Sequence, residues 1–209
     1  PAGGIWKSTD AGLTWNTTTD NLPQIGVSGI AIDPNNSNII YIATGDDDAN
    51  DSYSVGVMKS TDGGSTWNNA GNISATSMND IYVDPNNSNT LWVATNQGVY
   101  KSTNAGTSWV LKLSGNIRDL KMKPGDTSTW YAATSNTVYK SFNAGESFNA
   151  VSIPGFTNST RIALAVTEAD PNYVYFISAG NVTVGGQTKS NYFNGLYKSV
   201  NSGSSFTKS

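Results

Sequence analysis

Short runs in which apolar and polar residues alternate recur along the whole chain, separated by clusters of Gly, Asn, Asp and Pro. A period of two sends one side of each run into a core, and the intervening residue types are those that turn a chain. Residues 27–33, 39–44, 55–60 and 66–69 read as four successive strands. The same four-strand pattern returns at 79–84, 91–95, 98–102 and 108–112, and again at 118–123, 129–134, 137–141 and 147–151. A last set runs 161–167, 173–178, 195–199 and 205–208, and a lone hairpin at 4–17 precedes them all. No stretch carries a helical period, and none approaches the length of a membrane-spanning helix.

The turn between the third and fourth strand of each set has one sequence, written five times: Lys7 to Trp15, Lys59 to Trp67, Lys101 to Trp109, Lys140 to Phe148 and Lys198 to Phe206. Each copy has Lys-Ser, an Asp or Asn two residues after the serine, a Gly two later and an aromatic three beyond that. The lysines are 52, 42, 39 and 58 residues apart, which suits the four-stranded blade of a β-propeller. The chain is therefore expected to be all-β, a β-propeller of four-stranded antiparallel blades forming an incomplete ring of about four and a half blades. The expected boundaries are the hairpin 4–17 and blades at about 25–70, 72–113, 115–151 and 158–208. Within the turn the carboxylate or amide can accept backbone N–H groups, the glycine supplies positive φ, and the aromatic returns toward the core. Asp10 and Asp62 have the amide counterparts Asn104, Asn143 and Asn201, which cannot ionise, so the repeated acid reads as structural rather than catalytic.

Composition narrows the chemistry. Among 209 residues there is no cysteine and no histidine, which excludes thiol catalysis, imidazole ligation and histidine-based triads. The net charge of −3 with two arginines, Arg118 and Arg161, speaks against a nucleic-acid face. The chain opens at Pro1 with no methionine or leader and reads as a fragment of a larger protein.

The stretch Ser60-Thr61-Asp62-Gly63-Gly64-Ser65-Thr66-Trp67 resembles the Asp-box, or bacterial neuraminidase repeat, found in sialidases, xyloglucan-degrading hydrolases, sortilin-type receptors and secreted bacterial surface propellers. The resemblance implies a peripheral scaffold role for Ser8, Asp10, Gly12 and Trp15, and for Ser60, Asp62, Gly64 and Trp67. The same holds for Ser102, Asn104, Gly106 and Trp109, for Ser141, Asn143, Gly145 and Phe148, and for Ser199, Asn201, Gly203 and Phe206. It also implies an extracellular or cell-surface setting. A sialidase would need three arginines to clamp its substrate carboxylate, and only two are present.

Function is expected on the face opposite the repeated turns, where two connections are longer than a blade requires: 45–54 and 180–194. In the first, Asp46, Asp48, Asn50 and Asp51 read as a solvated acidic loop, with a Ca²⁺ site as the alternative. Tyr53 on that loop and Tyr192 and Phe193 on the other either cover the blade edge or form a sugar-stacking surface. The leading expectation is a non-catalytic module of a secreted bacterial protein that binds glycan or protein, without membrane insertion, its remaining blades coming from the same or another chain. The alternative is part of a glycoside hydrolase, xyloglucanase-like before sialidase-like, whose catalytic residues lie partly outside this segment. No catalytic residue stands out.

Overall fold

The computed structural model describes residues 3–46 and 52–209, and every regular element in it is a β-strand. β1 (Trp6–Lys7) and β2 (Asn16–Thr17) form a two-stranded hairpin. β3 (Val27–Ile32), β4 (Ile40–Thr44), β5 (Val57–Ser60) and β6 (Asn68–Asn69) form the first four-stranded sheet. The second contains β7 (Met78–Asp84), β8 (Asn87–Thr95), β9 (Gly98–Ser102) and β10 (Val110–Ser114). The third contains β11 (Asp119–Lys123), β12 (Asp126–Ala133), β13 (Val138–Ser141) and β14 (Asn149–Ala150). The fourth contains β15 (Ser159–Val166), β16 (Val174–Val184), β17 (Gln187–Ser199) and β18 (Thr207–Lys208). Each sheet runs up and down in chain order, with every neighbouring pair antiparallel. The chain divides into two compact units, Pro1–Ser114 and Gly115–Ser209.

Within each unit the core lies between successive sheets. In the first unit Tyr41, Ala43 and Val57 of one blade pack on Met78, Ile81, Val83, Leu91 and Val93 of the next. In the second, Tyr131, Ala133 and Val138 meet Ile162, Leu164, Val174 and Phe176 in the same way. The central strands are buried on both faces, which is why β4, β8 and β12 lack a clean alternation. A smaller cluster of Val27, Ile42 and Met58 is covered by Ile5 of the hairpin and by Leu22.

The five repeated turns share one geometry. The serine hydroxyl donates to Oδ1 of the Asp or Asn two residues on, at 2.7–2.9 Å. The same oxygen accepts the N–H of the glycine four residues on, at 2.7–3.0 Å. Oδ1 then accepts the N–H of Thr14, Thr66, Ser108, Ser147 or Ser205. Where the acid is Asp, the threonine hydroxyl donates to Oδ2 at 2.6 Å. Where it is Asn, the amide donates to a serine hydroxyl at 2.9–3.0 Å. A hydroxyl can donate or accept, so both chemistries close the same turn.

The residue before each of these glycines is also left-handed: Ala11, Gly63, Ala105, Ala144 and Ser202, with φ between 55° and 70°. In the four complete blades its N–H reaches the turn between the first two strands. Gly63 bonds to Asn38 O, Ala105 to Asn89 O, Ala144 to Ser128 O and Ser202 to Asn172 O, at 2.8–2.9 Å. Both turns thus occupy one end of each blade, opposite the connections 45–54 and 180–194.

The lysine that opens each motif also has a fixed partner. Lys59, Lys101, Lys140 and Lys198 lie across the ladder from Tyr41, Trp92, Tyr131 and Tyr175, with Nζ 5.1–6.0 Å from the ring centroid. Lys101 and Lys140 are buried. For Lys140, burial and then the charge of Lys123 hold the ammonium below its ordinary range. A cation over a ring face is favourable where water is scarce.

The closing aromatics diverge. Phe206 is buried, and Trp67 and Trp109 pack against core clusters. Phe148 is half-buried, whereas Trp15 is exposed and its indole N–H bonds to Gly12 O of its own turn. Trp109 reaches back to Ala70 O at 2.8 Å and Trp67 to Thr18 Oγ1 at 3.3 Å, so each ties its turn to the preceding blade or hairpin.

Gly203 shows why the second left-handed residue has no side chain: a Cβ there would lie 2.7 Å from Cε1 of buried Tyr131, at φ +73°. Gly203→Ala should cost roughly 2–4 kcal/mol of stability in a denaturant titration. The aspartate turns also set an acid limit. The Thr14 hydroxyl, the Thr14 N–H and the Ser8 hydroxyl lower the Asp10 carboxyl to about 2, and Thr66 with Ser60 lowers Asp62 further. A folded pKa below the unfolded value contributes stability above pH ~4 and loses it as pH falls toward the folded pKa. Asp62→Asn should fold, because three copies already carry Asn. Its melting temperature should decline less than the parent's between about pH 4 and pH 2.

Candidate functional site

In the first three blades a threonine at the end of the second strand braces the following connection. Thr95 Oγ1 donates to Gly98 O and accepts the N–H of Gln97 and Gly98, closing a two-residue turn. Thr134 Oγ1 does the same for Asn136 and Thr137. Thr44 donates to Gly56 O at 2.6 Å and accepts the Val55 N–H at 2.9 Å, so the long connection is inserted inside an intact brace. Its base is closed further by an isolated bridge between Asp46 and Ser52 and by Ser54 N–H donating to Thr76 O.

Asp46 is buried and its N–H donates to Ser52 O at 3.0 Å. Asp48, Asn50 and Asp51, the rest of the expected Ca²⁺ set, lie outside the described residues. Among the described residues no group of three or more acidic side chains is placed to hold a metal ion. Tyr53 is exposed at the far side of the connection, in the first unit.

The second long connection is not a loop. β16 and β17 continue past the blade as a two-stranded ribbon, paired out to Val184 and Gln187 and closed by Gly185 and Gly186, both at positive φ. The Gly and Asn residues of 180–194 predict an inserted loop; the ladder forms because Val182, Thr183 and Val184 face Lys189, Thr188 and Gln187. Two register shifts interrupt it, between Ser178 and Ala179 and between Gly180 and Val182. The second falls beside Asn191 at φ 63°. Bulges of this kind bend a strand and re-aim its side chains. Tyr192 and Phe193 are adjacent in β17 and would face opposite sides of a regular strand, yet both are exposed, at 48% and 70%.

Phe193 lines two shallow clefts. One, of about 260 Å³, has Arg161, Ala163, Ile177 and Asn191 around it; the other, of about 190 Å³, has Asn181, Val182, Tyr192 and Asn194. Asn194 anchors the ribbon, its amide donating to Thr157 O at 2.8 Å and to Ser178 Oγ at 3.3 Å. The arrangement offers two aromatic faces and several amides to a ligand, with Arg161 beside them. Tyr192 and Phe193, singled out from the sequence, are exposed, and Arg161, Ile177 and Val182, which were not, join Phe193 in lining the clefts. The alternation of 161–167 placed Ile162 and Leu164 inward and so left Arg161 and Ala163 outward, a signal that was present.

Comparison with known proteins bears on this geometry. No family model matches the chain. It is 33% identical over 145 residues to a xyloglucanase from Hypocrea jecorina, a match covering 51% of this chain and 16% of that protein. It is 30% identical over 123 residues to the xyloglucanase Xgh74A from Acetivibrio thermocellus, covering 51% of this chain and 15% of that protein. Among solved structures, an ancestral GH74 enzyme superposes with TM-score 0.68 at 25% identity, over 87% of this chain and 23% of the other. The Niastella koreensis GH74 enzyme superposes with TM-score 0.66 at 22% identity, over 99% of this chain and 42% of the other. The chain is an all-β propeller of four-stranded antiparallel blades. It spans 16% and 15% of the length of the two curated relatives it matches.

The exposed aromatics are not needed by the blade. Phe193→Ala and Tyr192→Ala should leave thermal stability within about 0.5 kcal/mol of the parent. Asn194→Ala should raise hydrogen exchange across 181–193 while leaving β15 and the blade end of β16 protected.

Proposed function

We propose that the chain is the propeller portion of a secreted, xyloglucanase-type glycoside hydrolase and that it holds a β-glucan chain on the β16–β17 ribbon. The observation that carries this is the pair of exposed rings, Tyr192 and Phe193, beside two shallow clefts lined by Arg161 and amide side chains. Sugar rings present flat C–H faces to aromatic rings and hydroxyls to amides, and a shallow, open cleft suits a polymer better than a small molecule. The likeness to two xyloglucanases supports the substrate class. The five repeated turns are Asp-boxes in this reading, and they are scaffold: each one has its oxygens committed to hydrogen bonds within its own turn.

Glycoside hydrolysis needs a carboxylic acid whose pKa is raised so that it can protonate the leaving oxygen, and a second carboxylate. Asp10, Asp62 and Asp126 are all shifted the other way, by hydroxyl and N–H donors. These three are unsuited to the acid's role, and this reading assigns the catalytic carboxylates to the rest of the polypeptide. The same observation favours a second reading, in which the module only binds glycan and takes no part in turnover.

Affinity electrophoresis in xyloglucan should retard this chain, release no reducing sugar, and lose about tenfold in affinity with Phe193→Ala. Unretarded migration in xyloglucan and in mixed-linkage glucan alike would refute glycan binding. Turnover by the full polypeptide, reduced by the same substitution, separates the hydrolase from the binding-only module.

A further inference from the structure

The first blade carries an apolar groove whose counterpart in the second blade is covered. Ile30 and Ile32 of β3 pair with Ile42 and Ile40, as Ile81 and Val83 of β7 pair with Val93 and Leu91. The four residues are structural equivalents, but Ile81 and Val83 are 2% and 8% exposed, whereas Ile30 and Ile32 are 54% and 55% exposed. What covers Ile81 and Val83 is known: Tyr41 and Ala43 of the second strand and Val57 of the third strand of the preceding blade.

The hairpin β1–β2 supplies only part of that cover. Lys7 corresponds to Lys59, so Ile5 stands where Val57 does, and Ile5 packs on the Val27, Ile42 and Met58 cluster. Among the described residues nothing occupies the places of Tyr41 and Ala43. A groove of about 400 Å³ is left, with Ile5, Lys7, Ile30, Ile32, Ile40 and Trp67 in its lining. It is continuous with an interface already formed: Lys7 Nζ donates to Gly63 O at 2.6 Å and Trp67 Nε1 to Thr18 Oγ1 at 3.3 Å. One edge of β1 is unpaired, since its sheet contains only β2.

We infer that this groove is the seat of an antiparallel strand pair of the same polypeptide, whose inner strand adds to the free edge of β1 and carries an aromatic residue opposite Lys7. All four complete blades place an aromatic opposite the motif lysine. In each of them the strand pair precedes the lysine in the same chain, which selects the same polypeptide as the source. The residue two positions further along that strand is small, as Ala43 and Ala133 are, because it seats on the next sheet. The motif lysine is then the register mark of the blade, reading the ring across the ladder.

The chain contains its own probe. Residues 78–97 form such a pair, with Trp92 facing Lys101, and they lead directly into Gly98, the counterpart of Gly4. A chimera with 78–97 joined ahead of Gly4 should melt roughly 5 °C or more above the parent. It should also protect the Trp6 and Lys7 amides from exchange. Ile30→Ser should barely move the parent's melting temperature and should lower the chimera's clearly. Equal melting temperatures together with equal effects of Ile30→Ser in both backgrounds would overturn the inference. So would a concentration-dependent dimer of the parent that Ile30→Ser dissociates, since that assigns the groove to a second copy.

Discussion

Two consecutive left-handed residues in every repeated turn are the constraint on which the blades depend. The conformation is unfavourable for Ala11, Ala105, Ala144 and Ser202, at roughly 1–2 kcal/mol each, and it persists because the serine and the Asp or Asn engage the turn from within. That conformation aims one N–H at the serine oxygen and the preceding N–H at the neighbouring turn. It therefore joins the outer strand pair of a blade to the inner pair at one end. Where the following glycine meets the preceding blade, as Gly203 meets Tyr131, the same turn also sets how closely two sheets approach.

Much of this was legible in the chain. The spacing of the motif, the alternation of the strands and the turn residues gave the four-stranded blade and placed the turns at one end. The left-handed residue before each glycine was not legible, because four of the five are Ala or Ser, residue types that seldom adopt it. The lysine–aromatic pairs were hidden as well, since the two members are separated by a connection of variable length and meet only across the ladder. The ribbon 180–194 was read as a loop: Gly and Asn signal turns, and the pairing that overrides them is non-local. For the candidate site, Tyr192 and Phe193 stand out in the sequence, and the residues lining the clefts beside them do not.

The division of labour between the ends of the blade follows from these bonds. At the repeated-turn end, carboxylates and amides have their oxygens occupied by hydroxyl and N–H donors, which lowers the aspartate pKa values and leaves little capacity for acid–base work. At the other end a threonine braces the connection in the first three blades, so length can be added without disturbing the ladder, as in 45–54. Variation in connection length and the proposed glycan contact belong to that end. The lysine ladder and the groove beside Ile30 belong to the scaffold and mark how one blade is seated on the next.

The central claim is that the serine-centred turn holds each blade together. Native-state hydrogen exchange of the Gly64, Gly106 and Gly203 amides, each bonded to a serine oxygen, tests it most directly. These amides should exchange only with unfolding of their unit, at the same free energy as β4, β8 and β16 amides and with the same denaturant dependence. Exchange at the rate of free surface amides, with the strands still protected, would contradict it.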